Sequence, residues 1–268
     1  MTTDRTSVRD GFVESSDGRI HFHTTGEGDP LVLLPHGGRS SEMYRGLIPI
    51  LAEHCMLIAL DPPGTGKSFV PEGPRTIPEL AETLHEAATE VAGGRYSLYG
   101  MNGGNKLGAA IAAAHPEAID GFIFAGLTHS IVLSNDRRDT TLGNHPAVRA
   151  LLQGRDEADS YRRDFYRAVT AYDLEGALRA LRVPLAVLEF ATAAEDAQIG
   201  RQGAALAEEL GAAAHSVFEL SPDAPVSLED RPEDLAAAIL MLWAALAAHR
   251  GRSRRPPKHR TPRRPVEQ

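Results

Sequence analysis

The sequence predicts an α/β protein built on a mostly parallel, doubly wound sheet of about eight strands, with a short helical lid. Three observations lead there. Short apolar runs such as Leu31–Leu34 and Met56–Leu60 read as strands buried on both faces. They alternate with stretches of helical spacing, as in Ile77–Val91, where Leu80, Leu84 and Ala88 fall on one stripe. Several of the runs end in turns bearing Gly, His, Asp or Asn, at the edge where an open parallel sheet binds ligands.

The elements follow in order. Gly11–Glu14 and Arg19–Thr24 flank Asp17-Gly18, a hairpin signal. Leu31–Leu34 ends at Pro35-His36-Gly37-Gly38, and residues 41–53 read as a helix. Met56–Leu60 runs into Asp61-Pro62-Pro63-Gly64-Thr65-Gly66-Lys67-Ser68. After the helix at 77–91 come a strand at Tyr96–Tyr99 and an Ala-rich helix, Asn105–His115, stopped by Pro116. Ile119–Ala125 is the next strand. Residues 127–183 are polar and helix-prone, and the rhythm resumes with Leu185–Phe190, Gln198–Leu210, His215–Leu220 and Pro232–Ala248. The chain therefore divides into one core half at 1–126, a lid at 127–183, a second core half at 184–248, and a tail at 249–268.

Composition narrows the function classes. The net charge of −8 conceals an asymmetry, because residues 249–268 carry eight Lys/Arg and one acid. The remainder holds 20 basic and 35 acidic residues, about −15, which repels nucleic acid. The Pro/Arg-rich tail is expected to be disordered and solvated. Met1–Asp10 lacks an apolar signal segment, and the longest apolar stretch, Leu235–Ala248, is too short to span a bilayer. A cytoplasmic, non-membrane protein is expected, and homo-oligomerisation stays open. The single cysteine, Cys55, lies in an apolar run and reads as a buried thiol.

The order of hairpin, strand plus His-Gly-Gly, strand plus Asp61–Ser68, and Tyr99-Gly100-Met101-Asn102-Gly103-Gly104 resembles the α/β-hydrolase superfamily. The resemblance covers about residues 11–126 and weakens beyond 184. It implies a nucleophile at the centre of a G-x-S-x-G turn, and here that place reads Asn102. It also implies an oxyanion hole from the backbone amides of Gly38 and Gly103. The family's histidine would fall in Pro222–Ser227, which contains none. Its acid would fall near Thr192 or Ala193, with Glu195 and Asp196 close by, or Asp223 in the later loop. An amide is neither nucleophile nor base, so an acyl-enzyme is not expected. Asn102 has two open roles: tolerating the turn's positive φ, or holding a substrate carbonyl or hydroxyl.

Other residues at the ligand edge are His36, Thr128, His129, Asp61 and Tyr44. His129, beyond the sixth strand, is the acid–base candidate. His36 reads chiefly as a loop anchor, Asp61 as a residue orienting its own loop, and Tyr44 as core. Gly66-Lys67-Ser68 lacks the first glycine of a phosphate loop, since position 61 is Asp. His21 and His23 alternate on one strand without an evident third ligand, so neither a metal nor another cofactor is expected. Three functions follow for a small-molecule site. The first is a non-hydrolytic cyclase, isomerase or lyase acting on a specialised metabolite such as a polyketide. The second is a catalytically inactive binding protein, and the third a hydrolase using water held by His129 or Asp61.

Overall fold

The computed structural model describes residues 8–134, 149, 151, 153, 160–220 and 231–253. Strands β1 (Arg9–Glu14) and β2 (Arg19–Thr25) form the expected antiparallel hairpin at one edge. Then come β3 (Pro30–Leu34), a 3₁₀ turn at Ser41–Tyr44, α1 (Ile48–Leu51) and β4 (Met56–Leu60). The alternation continues with α2 (Ile77–Ala92), β5 (Tyr96–Met101), α3 (Gly103–Ala114), β6 (Ile119–Leu127) and α4 (Thr128–Ile131). Helices α5 (Ser160–Ala171) and α6 (Leu174–Arg179) follow, then β7 (Leu185–Ala191), α7 (Ala193–Gln198) and α8 (Gly203–Glu209). The chain ends its described course with β8 (Ala214–Glu219) and α9 (Pro232–Ser253).

The sheet has eight strands in the order β1-β2-β4-β3-β5-β6-β7-β8, parallel from β4 to β8. Its two faces carry separate cores. On one, Leu34, Leu98 and Phe124 meet Leu80 and Leu84 of α2 and Leu107 and Ile111 of α3. On the other, Leu33, Tyr99 and Phe190 meet Leu51 of α1 and Leu235, Ile239 and Leu242 of α9. After β3 the chain packs on one face and steps outward to β4; it then crosses back to β5 and covers the other face. The crevice between the ends of β3 and β5 is the topological switch point, where an open sheet holds its ligand.

Local chemistry sets the boundaries. Thr76 and Glu79 form a reciprocal capping box at the start of α2, and Gly93 closes that helix at φ 67°. The helix expected over 41–53 is instead a 3₁₀ turn and one short α turn, because Gly46 and then Pro49 interrupt the region. The helix expected over 198–210 begins only at Gly203, because Gly200 at φ 72° separates it from α7, which ends at Gln198. Burial pushes the Cys55 thiol up to about 12, which keeps it protonated and inert. Among the described residues, no helix is long and apolar enough to cross a membrane. The tail beyond Ser253 lies outside the described residues.

The junction of β5 and α3 requires close backbone approach. A Cβ at Gly104 would lie 2.4 Å from the Leu34 carbonyl oxygen, and one at Gly100 would lie 2.6 Å from the Gly104 oxygen. By contrast, Gly94 has open space around it. Gly104→Ala should therefore lower unfolding stability by about 1–3 kcal/mol in urea titration, whereas Gly94→Ala should change it by no more than about 0.5 kcal/mol.

Candidate active site

The switch-point crevice brings four loop ends together. Asn102 caps α3 with φ 49° and ψ −108°, and it is the one non-glycine at positive φ among the described residues. Its side chain is buried. The Oδ1 atom accepts the Leu127 N–H at 2.8 Å, which fixes the amide's orientation and turns Nδ2 away as a donor. That Nδ2 is buried and has no protein partner among the described residues. Gly103 follows as the first residue of α3, so its N–H has no acceptor within the helix. A Cβ there would lie 2.8 Å from Gly37 N, so the loop after β3 touches the start of α3 directly. Gly38, at φ 73°, turns that loop over the same spot.

The end of β6 is gripped residue by residue. Asn102 holds the Leu127 amide, and Glu195 Oε2 accepts the Thr128 N–H at 3.1 Å. Glu195 Oε1 contacts Nδ1 of His129, and both side chains are 15% exposed. Glu195 owes its place to the start of α7, where Thr192 Oγ1 caps the Glu195 N–H at 3.1 Å. Thr128 donates its hydroxyl to Glu189 Oε1 at 2.9 Å. Glu189 is fully buried in β7 and also accepts the N–H groups of Gln202 and Gly203, at 2.8 and 3.0 Å. Lys106, equally buried, points its Nζ at the carbonyl and hydroxyl oxygens of Ser130.

Helix α5 roofs the crevice. Phe165 lies against both Gly37 and Gly103, Arg162 against Gly38, and Tyr161 against Gly64. Tyr166 OH is 3.4 Å from His36 Nε2, while His36 Nδ1 is buried without a partner among the described residues. Burial, aided by the neighbouring His129, Arg39, Lys106 and Arg162, pushes the His36 imidazole down to about 4. It is neutral at physiological pH. Arg39, Lys106 and Arg162 thus lie near enough to His36 for their charges to act on it.

The other sequence candidates have different surroundings. The Asp61 carboxylate accepts Ser41 N–H (2.7 Å), Ser41 Oγ–H (2.6 Å), His21 Nδ1 (2.8 Å) and Lys67 N–H (3.0 Å). Burial acts to raise its pKa, but these hydrogen bonds outweigh burial and hold it below the ordinary carboxylate range. Asp61 is a clasp between β2 and two loops, with its oxygens occupied. Lys67 reaches Asp10 and Ser68 Oγ donates to the Asp61 carbonyl, so the Gly66-Lys67-Ser68 segment serves the same clasp. Tyr44 is core: its OH donates to the Leu34 carbonyl at 2.8 Å and its ring packs edge-on against Tyr99. His215 sits near the start of β8, paired with Val187, away from the crevice. Residues 222–227, where the resemblance would place a histidine, lie outside the described residues, as does Asp223.

The family model for the alpha/beta hydrolase fold matches residues 29–218. The chain belongs to the α/β-hydrolase family. It is 28% identical over 125 residues to the 2-hydroxy-6-oxo-6-(2'-aminophenyl)hexa-2,4-dienoic acid hydrolase of Metapseudomonas resinovorans, covering 45% of this chain and 43% of that one. It is 30% identical over 155 residues to the pimeloyl-[acyl-carrier protein] methyl ester esterase of Sodalis glossinidius, covering 57% and 54%. These matches thus span about half the length of each relative. The crystal structure of the enol-lactonase from Burkholderia xenovorans LB400 superposes with a TM-score of 0.62 at 20% identity, over 87% of this α/β-hydrolase and all of that chain.

The depressed His36 value makes a stability prediction. Between its usual 6.5 and about 4, the unfolded imidazole binds a proton and the folded one does not, so stability falls as pH falls through that window. Thermal melts of His36→Asn should lose much of this acid sensitivity, while wild type retains it. An identical pH dependence of Tm in both proteins would remove His36 as its source.

Proposed function

We propose that this α/β-hydrolase-fold protein is a cofactor-independent, non-hydrolytic enzyme that moves a proton on a small carbonyl metabolite, polyketide-like in chemistry. The reaction class is cyclisation, isomerisation or lyase-type cleavage. The observation that carries this reading is the pairing of His129 with Glu195 beside an elbow occupied by Asn102. Asn102 stands where relatives of this fold place a nucleophile, and a carboxamide cannot form an acyl-enzyme. An imidazole held through Nδ1 by a carboxylate presents Nε2 as the base, and the carboxylate steadies the imidazolium that forms.

The rest of the crevice suits the charge that such a step develops. Removing a proton next to a carbonyl leaves an enolate oxygen, and the Gly38 and Gly103 amides are its natural donors. Asn102 Nδ2 adds a third donor. Arg39, Lys106 and Arg162 favour an anionic substrate or transition state through their field. Phe165 keeps water from the donor pair, which strengthens these interactions and protects a reactive enolate.

A second reading is a hydrolase whose water is activated by the same His129–Glu195 pair. It is favoured by the relatives, which are named as a hydrolase and an esterase. Asp61 has no part in it, because its carboxylate is occupied.

Solvent deuterium exchange into a panel of 1,3-dicarbonyl compounds, followed by NMR, separates these alternatives. Wild type should catalyse exchange without consuming p-nitrophenyl esters, and His129→Ala should slow exchange by about 10²–10⁴-fold. A fluorophosphonate probe should leave the protein unlabelled. Ester turnover that depends on His129 would favour the hydrolase, and saturable binding without exchange or turnover would make the protein a receptor. Stoichiometric labelling of a serine would overturn both enzymatic readings.

A further inference from the structure

Outside the crevice, the β1–β2 hairpin gathers a second group of side chains. Asp10 pairs directly across the ladder with His23, and His21 lies two residues along the same strand, on the same face. Strand pairing thus supplies the partner that is invisible in the His21-Phe22-His23 stretch of sequence alone. Asp10 Oδ1 contacts His21 Nε2 and lies 3.2 Å from His23 Nδ1. One ligating atom from each of the three falls within 4.8 Å of the other two. The imidazole rings meet at 89° with centroids 4.8 Å apart, so they do not stack over each other's nitrogens.

Asp61 decides what these atoms require. It takes the Nδ1 hydrogen of His21 at 2.8 Å, leaving the Nε2 lone pair aimed at Asp10. In that protonation state His21 Nε2 and Asp10 Oδ1 are both acceptors, and two acceptors in contact repel unless something positive stands between them. Either a proton or a cation shared with His23 meets that need. The three groups are the right chemistry for the latter, since imidazole with a carboxylate suits Zn²⁺ and its neighbours. Burial fits as well. The His21 side chain is 1% exposed, His23 19% and Asp10 48%, so the group is walled on one side and open to water on the other. That is three protein ligands with an accessible remaining position.

We propose that Asp10, His21 and His23 form a binding site for a divalent transition-metal ion of the Zn²⁺ type, with Asp61 orienting His21 from behind. Lys67 moderates it, because its Nζ lies 3.0 Å from Asp10 Oδ2 and holds a positive charge beside the ion. Through Asp61 the site also touches the Ser41 and Lys67 loops, so occupancy should stiffen the base of the crevice.

The test uses the full chain without an affinity tag, titrated at neutral pH with Zn²⁺ by calorimetry and with Co²⁺ by visible absorption. One ion per chain is expected, with the absorption of a nitrogen- and oxygen-ligated Co²⁺. His23→Ala and Asp10→Asn, both at partly exposed positions, should each weaken binding by at least about 10-fold, with far-UV circular dichroism unchanged. Lys67→Met should tighten it. Wild-type-level binding that survives both ligand substitutions, or no binding up to millimolar ion, would overturn the site.

Discussion

The single-residue corner between β5 and α3 is the constraint on which the architecture turns. Asn102 holds φ 49° and ψ −108°, a conformation that costs a side-chain-bearing residue on the order of 1–3 kcal/mol. The surroundings over-determine it. Its backbone N–H is taken by Ala125 O at 2.9 Å and its side chain by the Leu127 amide at 2.8 Å, so β6 clamps the corner from one side. From the other, Gly103 and Gly104 present no Cβ to the end of β3 and its loop, and Gly100 presents none to α3. Without that approach, the start of α3 could not reach Gly37. The glycines around Asn102 are therefore as much a part of the site as Asn102.

A second clasp sets the loops around that corner. Asp61 collects donors from β2, from the Ser41 turn and from the Lys67 loop, and it sits at the end of β4 beside β3. A buried carboxylate is stable only when donors replace its lost hydration, and here four do. The consequence is positional: the loop carrying His36, Gly37 and Gly38 is bounded at one end by β3 and at the other by the Ser41–Asp61 bonds. Asp61 therefore shapes the crevice through these bonds, its carboxylate oxygens already occupied.

The fold was legible because buried parallel strands leave continuous apolar runs, and all eight strands fall where such runs or the hairpin signal predict. Helix ends were less legible, since one glycine or proline decides them, as Gly46, Pro49 and Gly200 do. At the site, topology alone selected His129, Thr128, Asn102, Gly38 and Gly103, because strand ends at one edge must converge. It could not separate Glu195 from Asp196; the Thr192 cap does that, by fixing which turn of α7 faces β6. Lys106 carried a signal of its own, a lone charge four residues after Asn102 in an Ala/Gly-rich helix. Glu189, a single acid within an apolar strand, carried the same one. Asp10 had none, since cross-strand partners depend on register rather than spacing.

The position of the His129–Glu195 pair follows from that sheet as well. Leu127 and Phe190 are neighbours in the parallel ladder of β6 and β7, so residues just beyond them leave the sheet at one edge and side by side. An imidazole two residues past β6 and a carboxylate four residues past β7 then meet without any long connection. Because β6 also adjoins β5, the same histidine lies one strand from Asn102, whose Oδ1 holds the residue two before it. The base of the proposed reaction is thus tied to the corner by the backbone rather than by a bond to a nucleophile. Its proton acceptor therefore remains in place whatever side chain occupies position 102, provided the corner keeps its shape. On the proposed reading, proton transfer is structurally separable from acyl transfer, since the former needs the β6–β7 edge and the latter a hydroxyl or thiol that Asn102 does not supply.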